Sequence, residues 1–325
     1  MNAQELKLKL ETILGIDQIG VNVFFILKNG EDTFNIKKAD IRQNAMDSLI
    51  TSLTYNIHEI IDQISSNEDF RVLNLSSADD RSSAIYEYDL DERPDTFYFI
   101  DEVANHVEAG YFSIENSNVF LFNDDRLEDI DGYIIKLGDT DNNILLYRKN
   151  YPVNVFKQNK IYLIKGDDSQ FTTMNDSFLR VDAKIDFFRL DDSVFIYNLS
   201  VLEKFSDFHQ IISAEASKSI EQIDALGLVE NIEILSERID ELSFARKLTK
   251  ISTISPVFTL PKIQVLSFAQ AHRLLSTAFK YSEDGNIILD TKKSQNLFIR
   301  LLNDDFLHSQ LSNTDYLTPA KNKLD

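Results

Sequence analysis

The connections in the middle of the chain limit its fold more than any other feature. Tyr133–Leu137 and Ile144–Tyr147 are β-rich runs joined through Asp139–Thr140–Asp141–Asn142, while Ile185–Leu190 and Val194–Tyr197 meet around Leu190–Asp191–Asp192–Ser193. Parallel neighbours need a crossover of roughly a dozen residues or more, for which neither link has room. Asp, Asn, Ser and Thr instead favour turns, because their side chains bond to nearby backbone. Antiparallel hairpins are therefore favoured. Ile85–Tyr88, Val119–Phe122 and Ile161–Ile164 have similar content, so the region between Phe70 and Tyr197 reads mostly as strands in antiparallel meanders.

Helical periodicity frames this region on both sides. Leu6, Leu10, Ile13 and Leu14 mark a short opening helix that Gly15 ends. A hairpin follows, with Val21 to Leu27 as one strand, Asn29–Gly30 as the turn and Thr33 to Ile36 as the other strand. From Ile41 to Ile64, the positions Met46, Leu49, Ile50, Leu53, Ile57, Ile60, Ile61 and Ile64 form one face of a long helix suited to packing on a sheet. Beyond Tyr197, Ser200 and Glu203 have the spacing of a capping box. Phe205, Phe208, Ile211, Ile212 and Ile220 then carry a helical stripe to Gly227. Ile232, Leu235, Ile239, Leu242 and Ala245 predict a helix ending before Pro256, followed by another from Ile263 to Phe279. A strand or hairpin is expected around Gly285–Leu289, and a last helix from Ser294 to Leu302. The expected class is α+β, with a mixed N-terminal part, an antiparallel β-rich middle and a helical C-terminal part. At 325 residues the chain exceeds the usual size of one domain, so two are expected.

Charge is unevenly spread. The formal net charge is −20 and the sequence pI about 4.6, a balance that opposes general attraction to nucleic acid or anionic lipid. Yet between Asp240 and Asp325, eleven Lys and Arg face nine Asp and Glu. A polyanion feels the local field within about 10 Å at moderate salt. Arg246 and Lys250 are one helical turn apart with Lys247 beside them, and Lys292, Lys293 and Arg300 bracket a second helix start that Ser294 could cap. Such cations can contact phosphates and release counterions, with helix amides as extra donors. The plain alternative is a solvated face that balances an acidic protein.

Other chemistry is sparse. Cysteine is absent, which excludes disulfides, thiolate metal sites and a cysteine nucleophile. His58, His106, His209, His272 and His308 lack zinc-site spacing, His106 and Glu108 forming one weak pair. With only 9 Gly there is no phosphate loop, and no cofactor is expected. Asp182–Ala183–Lys184 has the Asp-x-Lys form of some magnesium nucleases, with Asp167 or Asp168 as a further acid, but such a tripeptide is common by chance and strand alternation explains it. No secretory pattern opens Met1–Glu5 and no apolar run approaches the ~18 residues of a membrane span, so a cytoplasmic protein is expected.

Ser243 to Val257 resembles a stretch of the KwaB family, the soluble component of the two-gene Kiwa anti-phage defence system. Asp79–Asp80–Arg81, Leu146–Tyr147–Arg148–Lys149, Arg180–Val181–Asp182 with Asp186–Phe187, and Phe208–His209–Gln210–Ile211 add to the likeness. So does Lys293–Ser294–Gln295 running on through Phe298–Ile299 to Asp304–Asp305–Phe306–Leu307. The resemblance implies a KwaB-like domain at 128–325 after an N-terminal α+β domain at 1–127. It also implies a bacterial cytoplasmic protein that self-associates, reaches the inner membrane through the membrane protein KwaA, and binds DNA without an established catalytic motif. Under that reading Arg246, Lys247, Lys250, Lys292, Lys293 and Arg300 are the DNA-binding candidates, with no catalytic or metal-binding residue, and the protein occupies phage DNA without cutting it. A metal-dependent nuclease and a non-catalytic assembly subunit are the alternatives.

Overall fold

The computed structural model of the chain describes residues 1–28, 30, 33–77, 83–108, 118–156, 162–165, 171–174, 177–205 and 208–318. Asn29, Asp79–Asp80–Arg81, Asp167 and Asp168, named above, lie outside these residues, as do the side chains of His106 and Glu108. Contacts divide the chain into two compact units, one of Met1–Val72 with Asp95–Leu202, the other of Leu73–Pro94 with Glu203–Asp325. The 127/128 boundary follows resemblance along the sequence, whereas this division follows contact in space.

The first unit is a sheet with helices. Helix α1, Ala3–Leu14, opens with a reciprocal cap: Asn2 Oδ1 accepts from the Glu5 amide, and the Glu5 carboxylate accepts from the Asn2 amide, each at 2.9 Å. Strands β1 (Gly20–Lys28) and β2 (Phe34–Lys38) form the expected antiparallel pair. Helix α2, Gln43–Ser66, buries Leu53, Ile57, Ile60, Ile61 and Ile64, the face that the periodicity predicts, and α1 packs on it. Helix α3 follows at Asp95–Glu108. Strands β3 (Ile130–Gly138), β4 (Asn143–Lys149), β5 (Phe187–Leu190) and β6 (Ser193–Ile196) complete a sheet segment in the order β2–β1–β3–β4–β5–β6, antiparallel throughout. The β3–β4 and β5–β6 hairpins use the two short links read from the sequence.

Two expectations for this unit are corrected. Val119–Phe122 makes an isolated bridge from Val119 to Lys38 and forms no strand. Helix α3 lies in a region read mostly as strands. Its run Thr96–Phe97–Tyr98–Phe99–Ile100 is β-rich in composition, but Phe97, Ile100, Val103 and Ala104 repeat at helical spacing and are all buried. Phe97 meets Phe187 of β5 edge-on at 5.2 Å, so α3 covers the sheet face that carries Phe187 and Tyr147, whose rings stack at 4.1 Å. The core sits on both faces. Val21 and Val23–Leu27 of β1 and all of β3 but Asp131 are buried, and Tyr133, Ile134, Phe187, Phe188 and Phe195 are wholly enclosed.

Helices dominate the second unit. These are α4 (Phe208–Asp224), α5 (Leu242–Ile254), α6 (Lys262–Ala271) and α7 (Lys292–Leu302). Helix α4 packs on α5, and Phe208, Phe244, Leu248, Ile251, Phe298 and Leu302 form a solvent-free core. The helix expected from Ile232 through Ala245 is broken: Ile232–Arg238 is a 3-10 turn, and α5 starts afresh after Glu241. The helix expected to reach Phe279 stops at Ala271, with a short turn at Leu275–Ala278 beyond it. Ser200 lies inside the helix Leu199–Phe205 and is not its cap. At α7 the cap is Thr291, while Ser294, wholly buried, is the third residue of the helix. The hairpin Lys280–Tyr281/Ile287–Ile288 agrees with expectation.

Gly138, at the start of the β3–β4 turn, has φ +130°, and an added Cβ would lie 2.2 Å from the Asn142 carbonyl oxygen. Gly285 also has positive φ, +78°, but open space around it. Gly285→Ala should therefore cost only the left-handed backbone penalty of about 1 kcal/mol, and Gly138→Ala considerably more. Urea unfolding of both variants checks this; equal losses would show that the turn yields to a side chain.

Candidate functional site

Family-like fragments far apart in sequence meet in the first unit. Arg148, near the end of β4, pairs in register with Tyr133 of β3. Its Nε donates to Asp182 Oδ1 at 3.0 Å and its Nη1 to Asp186 Oδ1 at 2.6 Å. The Tyr133 hydroxyl donates to the Asp182 carbonyl at 2.9 Å, and Asn56 of α2 donates to the Ala183 carbonyl at 2.6 Å. Asp186 is fully enclosed and also accepts from the Lys149 amide at 2.9 Å and from Asn198 Nδ2 at 3.2 Å. Burial pushes its carboxyl pKa up, against the Lys149 amide, Arg148 and Asn198, which hold it down. Burial would lower the Arg148 pKa, but the two carboxylates reverse this and raise it. Burial also raises the Tyr133 hydroxyl pKa, assisted by Asp182.

This geometry gives the Asp-x-Lys tripeptide another role. The Asp182 carboxylate is engaged by Arg148, and its Oδ1 also accepts from the Lys184 amide at 3.2 Å, while the Lys184 side chain points to solvent. Among the described residues, no three His, Asp or Glu side chains gather as a metal shell requires.

The basic candidates lie in the second unit, and acids hold two of them. Glu241, just before α5, accepts from Arg238 Nη2 at 2.7 Å and from Lys292 Nζ of α7 at 2.8 Å; these bonds pull its pKa down to about 2. Arg238 also donates to Gln295 at 2.9 Å and lies 3.9 Å over the Phe244 ring. The starts of α5 and α7 are thereby fastened together. Arg246 is bonded to Glu203 at 2.9 Å. Lys250 and Arg300 are half-buried, and Arg300 occupies the last turn of α7, where a cation complements the helix dipole. It is eight residues from Lys292, about 12 Å along the axis, and does not join the group at the helix start. Lys247 and Lys293 are exposed, and among the described residues no ion pair involves either. The Ser294 amide expected to meet a phosphate instead donates to Thr291 Oγ1 at 3.0 Å.

Sequence reading missed Arg238, Glu203 and Glu241 as partners. Only Arg238 and Glu241, three apart, carry a visible signal, because residues at that spacing can meet across one turn. Lys292 to Glu241 and Arg246 to Glu203 are long-range pairs.

A family model described as "Kiwa protein KwaB-like" matches residues 127–312. The chain is 30% identical to "Kiwa protein KwaB" of Escherichia coli O55:H7 (strain RM12579 / EPEC) over 332 residues, covering 100% of both chains. No solved structure matches.

Arg148→Met should destabilise the protein by about 3–5 kcal/mol, because it leaves Asp186 enclosed without its counter-charge. A carboxyl whose folded pKa is raised loses stability as pH rises from its unfolded pKa to its folded one. Loss of Arg148 widens that window upward. Thermal unfolding of the variant should thus shift to higher temperature on acidification from neutral pH, more than in the parent; parallel pH profiles would contradict this role for Arg148.

Proposed function

Because the chain belongs to the KwaB family of Kiwa anti-phage defence proteins, we propose that it is the DNA-binding subunit of that defence, acting by occupancy of phage DNA without cleavage. The observation that carries this reading is the pair of solvated cations Lys247 and Lys293, without an ion pair among the described residues, on helices whose starts are fastened together by Arg238, Glu241 and Lys292. Arg246 and Lys292 are already satisfied by acids and contribute less. Contacts of this kind are made to phosphates, so affinity falls steeply with salt and varies little with base sequence.

Two such cations per chain make a weak site, and self-association strengthens it by raising the effective concentration of the second contact. Exposed apolar side chains in the second unit support association: Ile263 and Phe268 on α6, and Leu307 and Leu311 of the hairpin Phe306–Ser309/Thr314–Leu317. His272 joins that helix to the hairpin through the Phe306 ring at 4.8 Å. Among the described residues no helix is long and apolar enough to cross a membrane. The proposal also places the protein in the cytoplasm and has KwaA recruit it to the inner membrane. The Arg148 engagement of Asp182 supports occupancy over the nuclease alternative.

Gel shifts with short duplex and plasmid DNA test this. Lys247→Glu with Lys293→Glu should weaken binding about tenfold or more and flatten the plot of log affinity against log salt by about two. Arg246→Gln should change binding less. Supercoiled plasmid with magnesium or manganese should remain intact; nicking abolished by Asp182→Ala, or undiminished affinity in the double variant, would overturn the reading.

A further inference from the structure

A small cavity of about 130 Å³ lies in the first unit where strands β1 and β2 separate. Their pairing covers only Phe24 to Lys28 of β1, and a last bond joins the Ala39 amide to the Val23 carbonyl at 2.8 Å. Beyond Ala39 the chain leaves the sheet to begin α2 at Gln43, so Val21 and Asn22 have no strand on that side among the described residues. The side chains of Val21, Val23, Ala39, Ile41, Met46 and Val119 line the space that results, and its surface is mostly apolar.

Lys38 is the basic group of this lining. Its backbone is fixed from the side away from β1: the amide donates to the Asn118 carbonyl at 2.8 Å, and the carbonyl accepts from the Phe120 amide at 2.9 Å. Its side chain is half-buried and, among the described residues, meets no acid and makes no hydrogen bond. Burial lowers its pKa, and no carboxylate of the described residues acts in the other direction. Asp40 also reaches the cavity, but it is exposed, is not paired with Lys38, and has its charge screened by solvent. A cation partly withdrawn from water without a partner carries a cost in free energy, which a carboxylate delivered by a ligand removes.

We propose that this cavity binds a small aliphatic carboxylate, with the carboxylate on the Lys38 ammonium and a branched alkyl group in the apolar space. The size of that group follows from the volume. An apolar cavity of about 150 Å³ holds one benzene, so the space here suits an alkyl group of about five carbons. The site uses no residue proposed for DNA, and the two proposals fail independently.

The chain has 3 Met, so NMR of protein labelled at the methionine methyls gives a direct view of Met46. Titration of the full chain with 4-methylpentanoate should move the Met46 signal saturably, with half-saturation at about 1 mM or below, and leave the other two in place. Acetate, which lacks the alkyl group, and 4-methylpentan-1-ol, which lacks the charge, should each bind about tenfold more weakly or worse. Lys38→Met keeps the apolar bulk of the side chain and should weaken binding about tenfold or more. Ala39→Leu fills the space and leaves the ammonium in place, so it keeps the test valid if the lysine variant misfolds; it should abolish the shift. Lys247→Glu with Lys293→Glu should leave the titration unchanged. A Met46 signal that stays in place, equal binding of acetate or of the alcohol, or undiminished affinity in the Lys38 or Ala39 variant would overturn the proposal. So would saturable binding of N-acetyl-leucine with none of 4-methylpentanoate, which would assign the cavity to the end of a peptide chain.

Discussion

One enclosed carboxylate fixes the relative placement of three strands. The Asp186 side chain takes hydrogen bonds from the Lys149 amide and from Arg148 on β4, and from Asn198 just past β6. Its own amide donates to the Tyr147 carbonyl at 3.0 Å, and its carbonyl accepts from the Tyr197 and Asn198 amides at 3.0 and 2.7 Å. A buried ion pair adds little net stability, because desolvation offsets attraction. Its effect here is on register. A one-residue slip of β5 would turn Phe187 and Arg189 to the opposite face and leave the Asp186 charge without donors, so the slipped sheet is disfavoured twice.

The same register decides what the sheet exposes. With Phe187 held against Phe97 of α3, Arg189 follows two residues later on the same face, with Leu145 and then Lys136 across from it. An arginine engagement at one end of β4 thus accounts for a pair of sunken cations nearer the other. In the second unit, Glu241 has a comparable role among basic residues. It draws Arg238 and Lys292 to one point, and leaves Lys247 and Lys293 of the same two helices in solvent. A count of basic residues between Asp240 and Asp325 overstates the local field, since Arg246, Lys280 and Lys292 each already face a carboxylate.

What was legible in the sequence is what depends on near neighbours. The hairpin links at Asp139–Asn142 and Asp191–Asp192, the buried face of α2 and the stop before Pro256 all follow from local chemistry and appear as read. Helix α3 was hidden because aromatic and β-branched residues at 96–100 favour strands by composition while their spacing favours a helix, and packing on Phe187 decides between them. The break at Ile239 was hidden because its apolar residues keep helical spacing through a 3-10 turn that fails to propagate. The Arg148, Asp182 and Asp186 fragments were visible one at a time, but only the paired strands show that one guanidinium spans both acids.

The matched segment 127–312 holds both polar clusters yet cannot be a self-sufficient fold. It contains Arg148, Asp186, Glu241, Lys247 and Lys293 but leaves out α1, α2, α3, β1 and β2. Without β1, the strand β3 loses a partner that pairs with it from Gly138 to Ile130, and becomes an apolar edge open to other chains. Without α3, the Phe187 and Tyr147 face loses its cover, and without α2 the loop carrying Asp182 and Ala183 loses the Asn56 bond. The N-terminal elements therefore belong to the same unit as the Arg148 cluster, in keeping with a similarity to the Escherichia coli protein that runs the full length of both chains. Their sequence can vary more widely than that of the clusters, because covering a sheet requires apolar residues at the right period, whereas satisfying a buried carboxylate requires particular donors at particular positions.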